Sequence, residues 1–386
     1  MTEIYLDNSA TTRPSQAVID LTGKIQAESY GNPSAMHGKG LEAAKLVATA
    51  RRQVAASFKC HEKEIYFTSG GTEANNLAIK GTAYRNRRRG THLVTSTIEH
   101  PSVLKCFQFL EQEGFTVSYL DSNREGLVKP EQLEKVIGRE TVLVSIMHVN
   151  NEVGSIQPLE ELGSVIKSNN PRTIFHVDAV QSFGRLPLEL NPWQADLVTA
   201  SAHKIHGPRG AGCLFVKKGT LLQPLLHGGD QEIGLRSGTE NTAAIAGFGL
   251  AAEFGSANLK QKSAELYDLK LGFYRSLQDT GTSFAVNGPA PEKSAPHIIN
   301  ISFPALKAEI LLHSLEDKGV YVSAGSACHS KHSEPSYVLE AIGTDRKHLD
   351  SALRFSFSCF NSAAEAEEAA KIVAEVSSHL QQMFST

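Results

Sequence analysis

Two polar residues stand where apolar runs end. Asp178 closes a run containing Ile174, Phe175 and Val177, and Lys204 follows a second run containing Leu197 and Val198. Both runs read as short buried strands, which puts the carboxylate and the amine at strand carboxyl ends, the edge where open α/β sheets bind ligands. A lysine there can form a Schiff base, and an aspartate can pair with a protonated ring nitrogen. Those are the two protein groups that pyridoxal phosphate requires most.

Other segments supply parts that could serve the same site. The stretch TSGGTE at 68–73 follows an apolar run and opens a helical one. Its glycines, Gly70 and Gly71, let backbone approach a ligand, and free N–H groups at a helix start attract an anion. Thr72 also suits an N-cap, so a phosphate cup and a plain capped turn both fit. It is not a P-loop, because no G-x-x-x-x-G-K-[ST] is present. Ser201 and His203, beside Lys204, are further candidate donors to a phosphate. His100 follows an apolar run in STIEHP at 96–101; its imidazole could stack on a flat ring or move protons, or could be a solvated loop residue. Arg354 is a charge inside an apolar strand pattern at 352–356. Its fork suits a bidentate substrate carboxylate, and a structural salt bridge explains it as well. Cys328 sits in a small-residue loop, SAGSACHS at 323–330, that can carry a thiol to a substrate; His329 and His332 are close in sequence.

The elements that must position these residues follow from periodicity. Strands are predicted at 65–68, 93–96, 117–120, 142–148, 173–178, 197–201 and 212–216, with helices at 73–88, 102–114, 130–137 and 159–168 between several of them. β-branched, continuously apolar strands alternating with amphipathic helices predict an α/β fold, a mostly parallel sheet between helices. Helices at 242–252 and 263–277 follow. Strands at 297–303 and 353–358 then alternate with helices at 308–318 and 363–383, which predicts a smaller C-terminal α/β domain. The expected division is an extended arm over 1–14, a large domain over 15–258 and a small one over 259–386, which carries the Cys328 loop.

Composition excludes several classes. The chain has 386 residues, 41% hydrophobic and 20% charged, with net charge −3. No direct nucleic-acid partner is expected from that balance, and the basic run at 85–89 fits a solvated helix end. No apolar run of about 18 residues predicts a membrane span, and the first residues do not form a signal peptide. Five cysteines, at 60, 106, 213, 328 and 359, are odd in number and lack a CxxC pair. That argues against a disulfide framework or a metal site and for a reducing, cytoplasmic setting.

Taken in order, the segments YLDNSATT (5–12), GNPS (31–34), FTSGGTE (67–73), EH (99–100), MHVNNEVG (147–154), HVDAVQ (176–181), SAHK (201–204), RSGT (236–239), GSAC (325–328), EPSYVL (334–339) and RFS (354–356) resemble the cysteine desulfurases of the NifS/IscS type. These are class V aminotransferase-family enzymes with the fold type I of pyridoxal-phosphate transferases. The resemblance implies that Lys204 carries the cofactor and acts as base at Cα, and that Asp178 holds the pyridine nitrogen protonated. Gln181 would bond the ring hydroxyl, and His100 would stack on the ring and help proton transfer. Gly71, Thr72, Ser201 and His203 would hold the phosphate, with Thr239 reaching in from a second subunit of a homodimer. Asn151 and Arg354 would orient the substrate carboxylate. The implied reaction takes sulfur from L-cysteine, giving L-alanine and a persulfide on Cys328 that passes to an acceptor protein in iron–sulfur cluster assembly or another sulfur transfer.

Three departures from the family pattern stand out. Ala202 replaces a usual glycine, the stretch 230–233 lacks a usual glycine and arginine, and Cys359 replaces an arginine. Two alternatives share much of the pattern: an enzyme like selenocysteine lyase, and a pyridoxal-phosphate-bound interaction protein in a sulfur-transfer complex. A true aminotransferase would need no thiol.

Overall fold

The computed structural model describes residues 3–325 and 335–384. The chain begins with a short strand, β1 (Ile4–Tyr5), and an extended arm. A seven-stranded sheet follows: β2 (Ile65–Thr68), β3 (His92–Ser96), β4 (Thr116–Leu120), β5 (Thr141–Met147), β6 (Ile174–Asp178), β7 (Leu197–Ser201) and β8 (Gly212–Val216). Its spatial order is β2-β8-β7-β6-β5-β3-β4. The pairs from β4 through β7 are parallel, while β8 runs antiparallel to both β7 and β2. Every residue of β5, β7 and β8 is buried, as expected of strands covered on both faces.

The second sheet is smaller, in the order β12-β13-β10-β9. Its strands are β9 (Ala285–Asn287), β10 (Ile298–Ser302), β12 (Ser323–Ala324) and β13 (Ala352–Ser356), all antiparallel. A separate two-residue strand, β11 (Val320–Tyr321), pairs in parallel with β1. Ile4 and Leu6 of the arm share one apolar cluster with Phe273, Phe303, Phe355 and Phe357. The helices Leu259–Asp279 and Ala363–Phe384 pack on each other over this cluster. The larger cluster lies under the seven-stranded sheet, where Phe58, Phe183, Phe215 and Phe248 stack ring on ring.

Strand order reverses beside β3: β4 lies on one side of it, and β5, β6 and β7 follow on the other. A crevice opens at the carboxyl ends of strands at such a point. His100 leaves β3 there, Asn151 leaves β5, Asp178 ends β6, and the 3-10 turn Ala202–Lys204 follows β7. The sequence therefore positions the cluster through its apolar runs, since each polar residue begins where a buried strand stops.

Candidate active site

Lys204 lies just beyond β7, and its ammonium donates to the carbonyls of Ser9 and, at 2.8 Å, Ala10. The arm thus reaches across to the lysine. Asp178 is 5% exposed. Its Oδ1 accepts from the Val180 N–H at 2.9 Å and its Oδ2 from the Asn75 amide at 2.8 Å. His100 caps the helix Pro101–Gln112, accepting at Nδ1 from the Ser102 N–H at 3.1 Å. Burial lowers its pKa, and Lys204 adds to that while the Asp178 charge opposes it. Histidine, lysine and aspartate therefore sense one another from three different segments. His100 and Thr72 also line an open cleft of about 420 Å³.

Gln181 is buried, donating from Nε2 to the Ser9 carbonyl at 3.0 Å. Behind it sits Arg185, a residue that periodicity does not single out. Arg185 is 5% exposed, and its guanidinium donates to the carbonyls of Gln181, Asn8 and Lys204 and to Gln181 Oε1. Among the described residues it makes no ion pair. Burial pushes its pKa down to about 10.

The glycine turn forms an anion cradle. The helix Gly71–Asn86 starts with no side-chain cap, and Gly70 adopts φ 155°, ψ −178°, a conformation reserved for glycine. Thr72 is thus not the N-cap: the extended Gly70 starts the helix two residues earlier and leaves Thr72 exposed in its first turn. A Cβ on Gly71 would lie 2.8 Å from Val180 Cγ2. Ser201 is 1% exposed, and its Oγ is buried without a partner. His203 bonds Thr11 at 3.3 Å, and burial together with Lys204 pushes its pKa down to about 4. Uncapped helix amides, an orphan hydroxyl and a glycine with no room for a methyl suit a phosphate.

Arg354 forms the structural salt bridge that is one of its two readings. It is 2% exposed; its Nη2 meets Asp7 Oδ1 at 2.7 Å and its Nη1 donates to the Asn151 carbonyl at 2.8 Å. The Arg354 Nε and the Asn151 Oδ1 remain buried without partners. A salt bridge exists, and donor capacity is left over beside it.

Thr239 is exposed in the single chain, in the turn before the helix Thr242–Ser256, and no hydrogen bond joins it to the other candidates among the described residues. Cys328, His329 and His332 lie outside the described residues.

The three departures have local explanations. The Ala202 methyl fits because Gly207 faces it; a Cβ on Gly207 would sit 2.9 Å from it. In the altered loop, Glu232 is anchored by a two-pronged bridge to Arg51, both contacts at 2.7 Å, and by the Phe67 N–H. Cys359 lies 3.5 Å from His206 Nε2. The residues that sequence reading missed, namely Asp7, Ser9, Asn75, Ser102 and Arg185, act through contacts far away in sequence, and only the YLDNSATT segment marks some of them.

The aminotransferase class-V family matches residues 4–368, and the chain belongs to that family, whose members are pyridoxal-phosphate enzymes. Within it, several of the similar proteins are named as cysteine desulfurases. The relative "Cysteine desulfurase IscS" of Methanosarcina thermophila is 39% identical over 98% of this chain and 93% of its own. A solved "NIFS-LIKE PROTEIN" superposes with a TM-score of 0.92 at 37% identity, covering 98% of this chain and 100% of its own. "SspA in complex with cysteine" superposes at 0.81 with 34% identity, covering 94% and 100%.

Proposed function

We propose that the chain is a cysteine desulfurase, taking sulfur from L-cysteine to give L-alanine and a persulfide on Cys328. The observation that carries this reading is the convergence of Lys204, Asp178 and His100 at one sheet edge, joined by a buried arginine, Arg354, that bonds the Asn151 carbonyl beyond β5 and keeps an unused N–H. The amides of Gly71 and Thr72 with Ser201, His203 and a second subunit's copy of Thr239 would hold the phosphate of pyridoxal phosphate, while Asp178 would take its ring nitrogen and Gln181 its ring hydroxyl. When bound, the cofactor supplies an electron sink for charge at the substrate Cα.

The chain's own residues do the rest. Arg354 and Asn151 orient the substrate carboxylate, the arginine with its unused, buried Nε–H and the asparagine with its side-chain NH₂. The Lys204 amine takes the Cα proton. The Cys328 thiolate attacks the substrate sulfur: an S–S bond forms, the C–S bond breaks, and its electron pair stays on carbon, which gains a proton to become alanine. Sulfur remains on Cys328 until an acceptor protein's thiol removes it. The proposed setting is a cytoplasmic homodimer, divided into arm 1–14, large domain 15–258 and small domain 259–386. The described cysteines are free thiols, and no helix among the described residues is long and apolar enough to cross a membrane.

The test is alanine formation from L-cysteine by the holoenzyme, beside Cys328→Ala and Lys204→Ala. Alanine only with both residues intact, and a persulfide on Cys328 without reductant, is the expected result. Undiminished activity in Cys328→Ala would leave a plain aminotransferase or lyase instead.

A further inference from the structure

Asn75 is 1% exposed and lies between the carboxylate and the histidine of the site. Its Nδ2 is 2.8 Å from Asp178 Oδ2 and 2.9 Å from Ser102 Oγ. The Ser102 Oγ is in turn 2.8 Å from His100 Nδ1. Four side chains from three segments thus form one unbroken chain of hydrogen bonds.

The direction of every proton in that chain follows from its charged end. A carboxylate only accepts, so the Asn75 amide must present its NH₂ to Asp178, and the flipped orientation is excluded. The second hydrogen of that NH₂ points at Ser102 Oγ, which accepts it. Having accepted there, the Ser102 hydroxyl has its own proton left to donate, and its remaining neighbour is His100 Nδ1. The Ser102 backbone N–H also donates to Nδ1, at 3.1 Å, and a backbone N–H cannot reverse its role. Two donors converge on Nδ1, so Nδ1 carries a lone pair. The proton of the neutral ring sits on Nε2.

We infer that Asn75 and Ser102 are positioning residues that hold the resting His100 as a neutral imidazole protonated on Nε2, so that it presents a fixed N–H donor to the site. Nε2 in this form has no lone pair with which to act as base, and losing its proton would leave an imidazolate. The helix start that His100 caps adds to the effect, because its partial positive charge opposes a cation at that place. The charged and titratable groups facing the ring are Asp178 at the end of β6, Lys204 and His203 in the turn after β7, Lys105 in the cleft and Glu99 next in sequence. Among the influences on its pKa, burial is the largest and acts to keep the ring neutral, in the same direction as the geometry.

The activity arm of the test rests on the desulfurase reading; the spectroscopic arm does not. The holoenzyme, labelled with ¹⁵N in its histidine rings and assigned with His100→Gln, is examined at pH 7. His100 is expected to show a protonated Nε2 and a bare Nδ1. Ser102→Ala and Asn75→Ala should each bring in the other tautomer or the cation, and Ser102→Thr, which keeps the hydroxyl, should restore the wild-type signals and serves as the folding control. A protonated Nδ1 in the wild type, or a spectrum unchanged in both alanine variants, overturns the inference. In alanine formation, Ser102→Ala should lower kcat and alter the pH profile, and Ser102→Thr should restore both; a wild-type pH profile in Ser102→Ala also overturns the inference. Absence of alanine from the wild type would sink the desulfurase reading while leaving the tautomer result standing.

Discussion

Arg354 donates from Nη2 to Asp7 Oδ1 at 2.7 Å, so a residue of the N-terminal arm already neutralises the guanidinium proposed to receive the substrate. The pair is asymmetric: the arginine side chain is 2% exposed and the aspartate 19%. Substrate carboxylate and Asp7 therefore compete for one cation, or share it through the unused Nε. Asp7→Asn removes the competing charge and keeps the shape. It should lower KM for cysteine several-fold and reduce stability by on the order of 3 kcal/mol, because a buried charge loses its partner. Arg354→Lys, lacking the fork, should raise KM about 10-fold. Steady-state kinetics with thermal melts check both, and an unchanged KM in Asp7→Asn would remove the competition.

Gly71→Ala tests the phosphate cradle. The added methyl would sit 2.8 Å from Val180 Cγ2, a branched side chain with little freedom to turn away. Pyridoxal-phosphate affinity should fall about 10-fold or more, and Val180→Ala in the same chain should recover part of it. Equilibrium binding followed by absorbance reads the change, and affinity equal to wild type in Gly71→Ala alone would rule the cradle out.

Arg185→Met leaves a side chain of similar length without charge. The carbonyls of Asn8, Gln181 and Lys204 then lose a donor in a dry place, at about 1–3 kcal/mol for a group left unsatisfied. Gln181 and the Lys204 backbone also lose their anchor, so cofactor release should accelerate. Arg185→Lys should fall between the two. Urea unfolding and the rate of cofactor loss by gel filtration measure these, and a wild-type release rate in Arg185→Met would count against the anchoring role.

Glu99 gives a pH signature. The carboxyl is 0% exposed, and burial, with the Asp178 charge adding, pushes its pKa up to about 8. Its Oε1 accepts from Ser96 and the Met147 N–H, while Oε2 has no partner and is free to carry the proton. A group raised in the folded state contributes stability that is full below its unfolded pKa, about 4.3, and is lost as pH climbs to about 8. Glu99→Gln mimics the protonated form. It should match the wild type in urea midpoint near pH 4, gain on it steadily between about pH 5 and pH 8, and level off above that. Parallel midpoints across that range would show that the carboxyl is ionised throughout.

Much of this was legible in the sequence, for a physical reason. Asp178 and Lys204 stand out because a buried strand tolerates no charge until it ends, so β6 and β7 advertise their own carboxyl ends. The central helices and strands likewise follow from periodicity, with ends displaced by a residue or two. What stayed hidden has one cause. Asn75 reads as one more polar residue of a helix, and Ser102 as part of an ordinary helix start. Their roles arise from Asp178, 103 positions away, and from His100. Asp7 and Arg185 are hidden in the same way, since nothing local tells a polar residue which distant partner it will meet. Thr72 misled because its type suits a cap, whereas Gly70 takes the position through backbone conformation alone.

The arm that closes the site is made early and seated late. Ser9 takes its N–H to Ser356 Oγ, 347 positions on, and Ile4 aligns with Val320. The strands β2 to β8 end at residue 216 and can assemble while synthesis continues. The carbonyls that receive the Lys204 ammonium belong to the arm that Ser356 holds. The segment that meets Lys204 is thus held in place by a strand that ends 140 positions after β8, so a chain made only as far as residue 216 lacks the partner that seats its own arm.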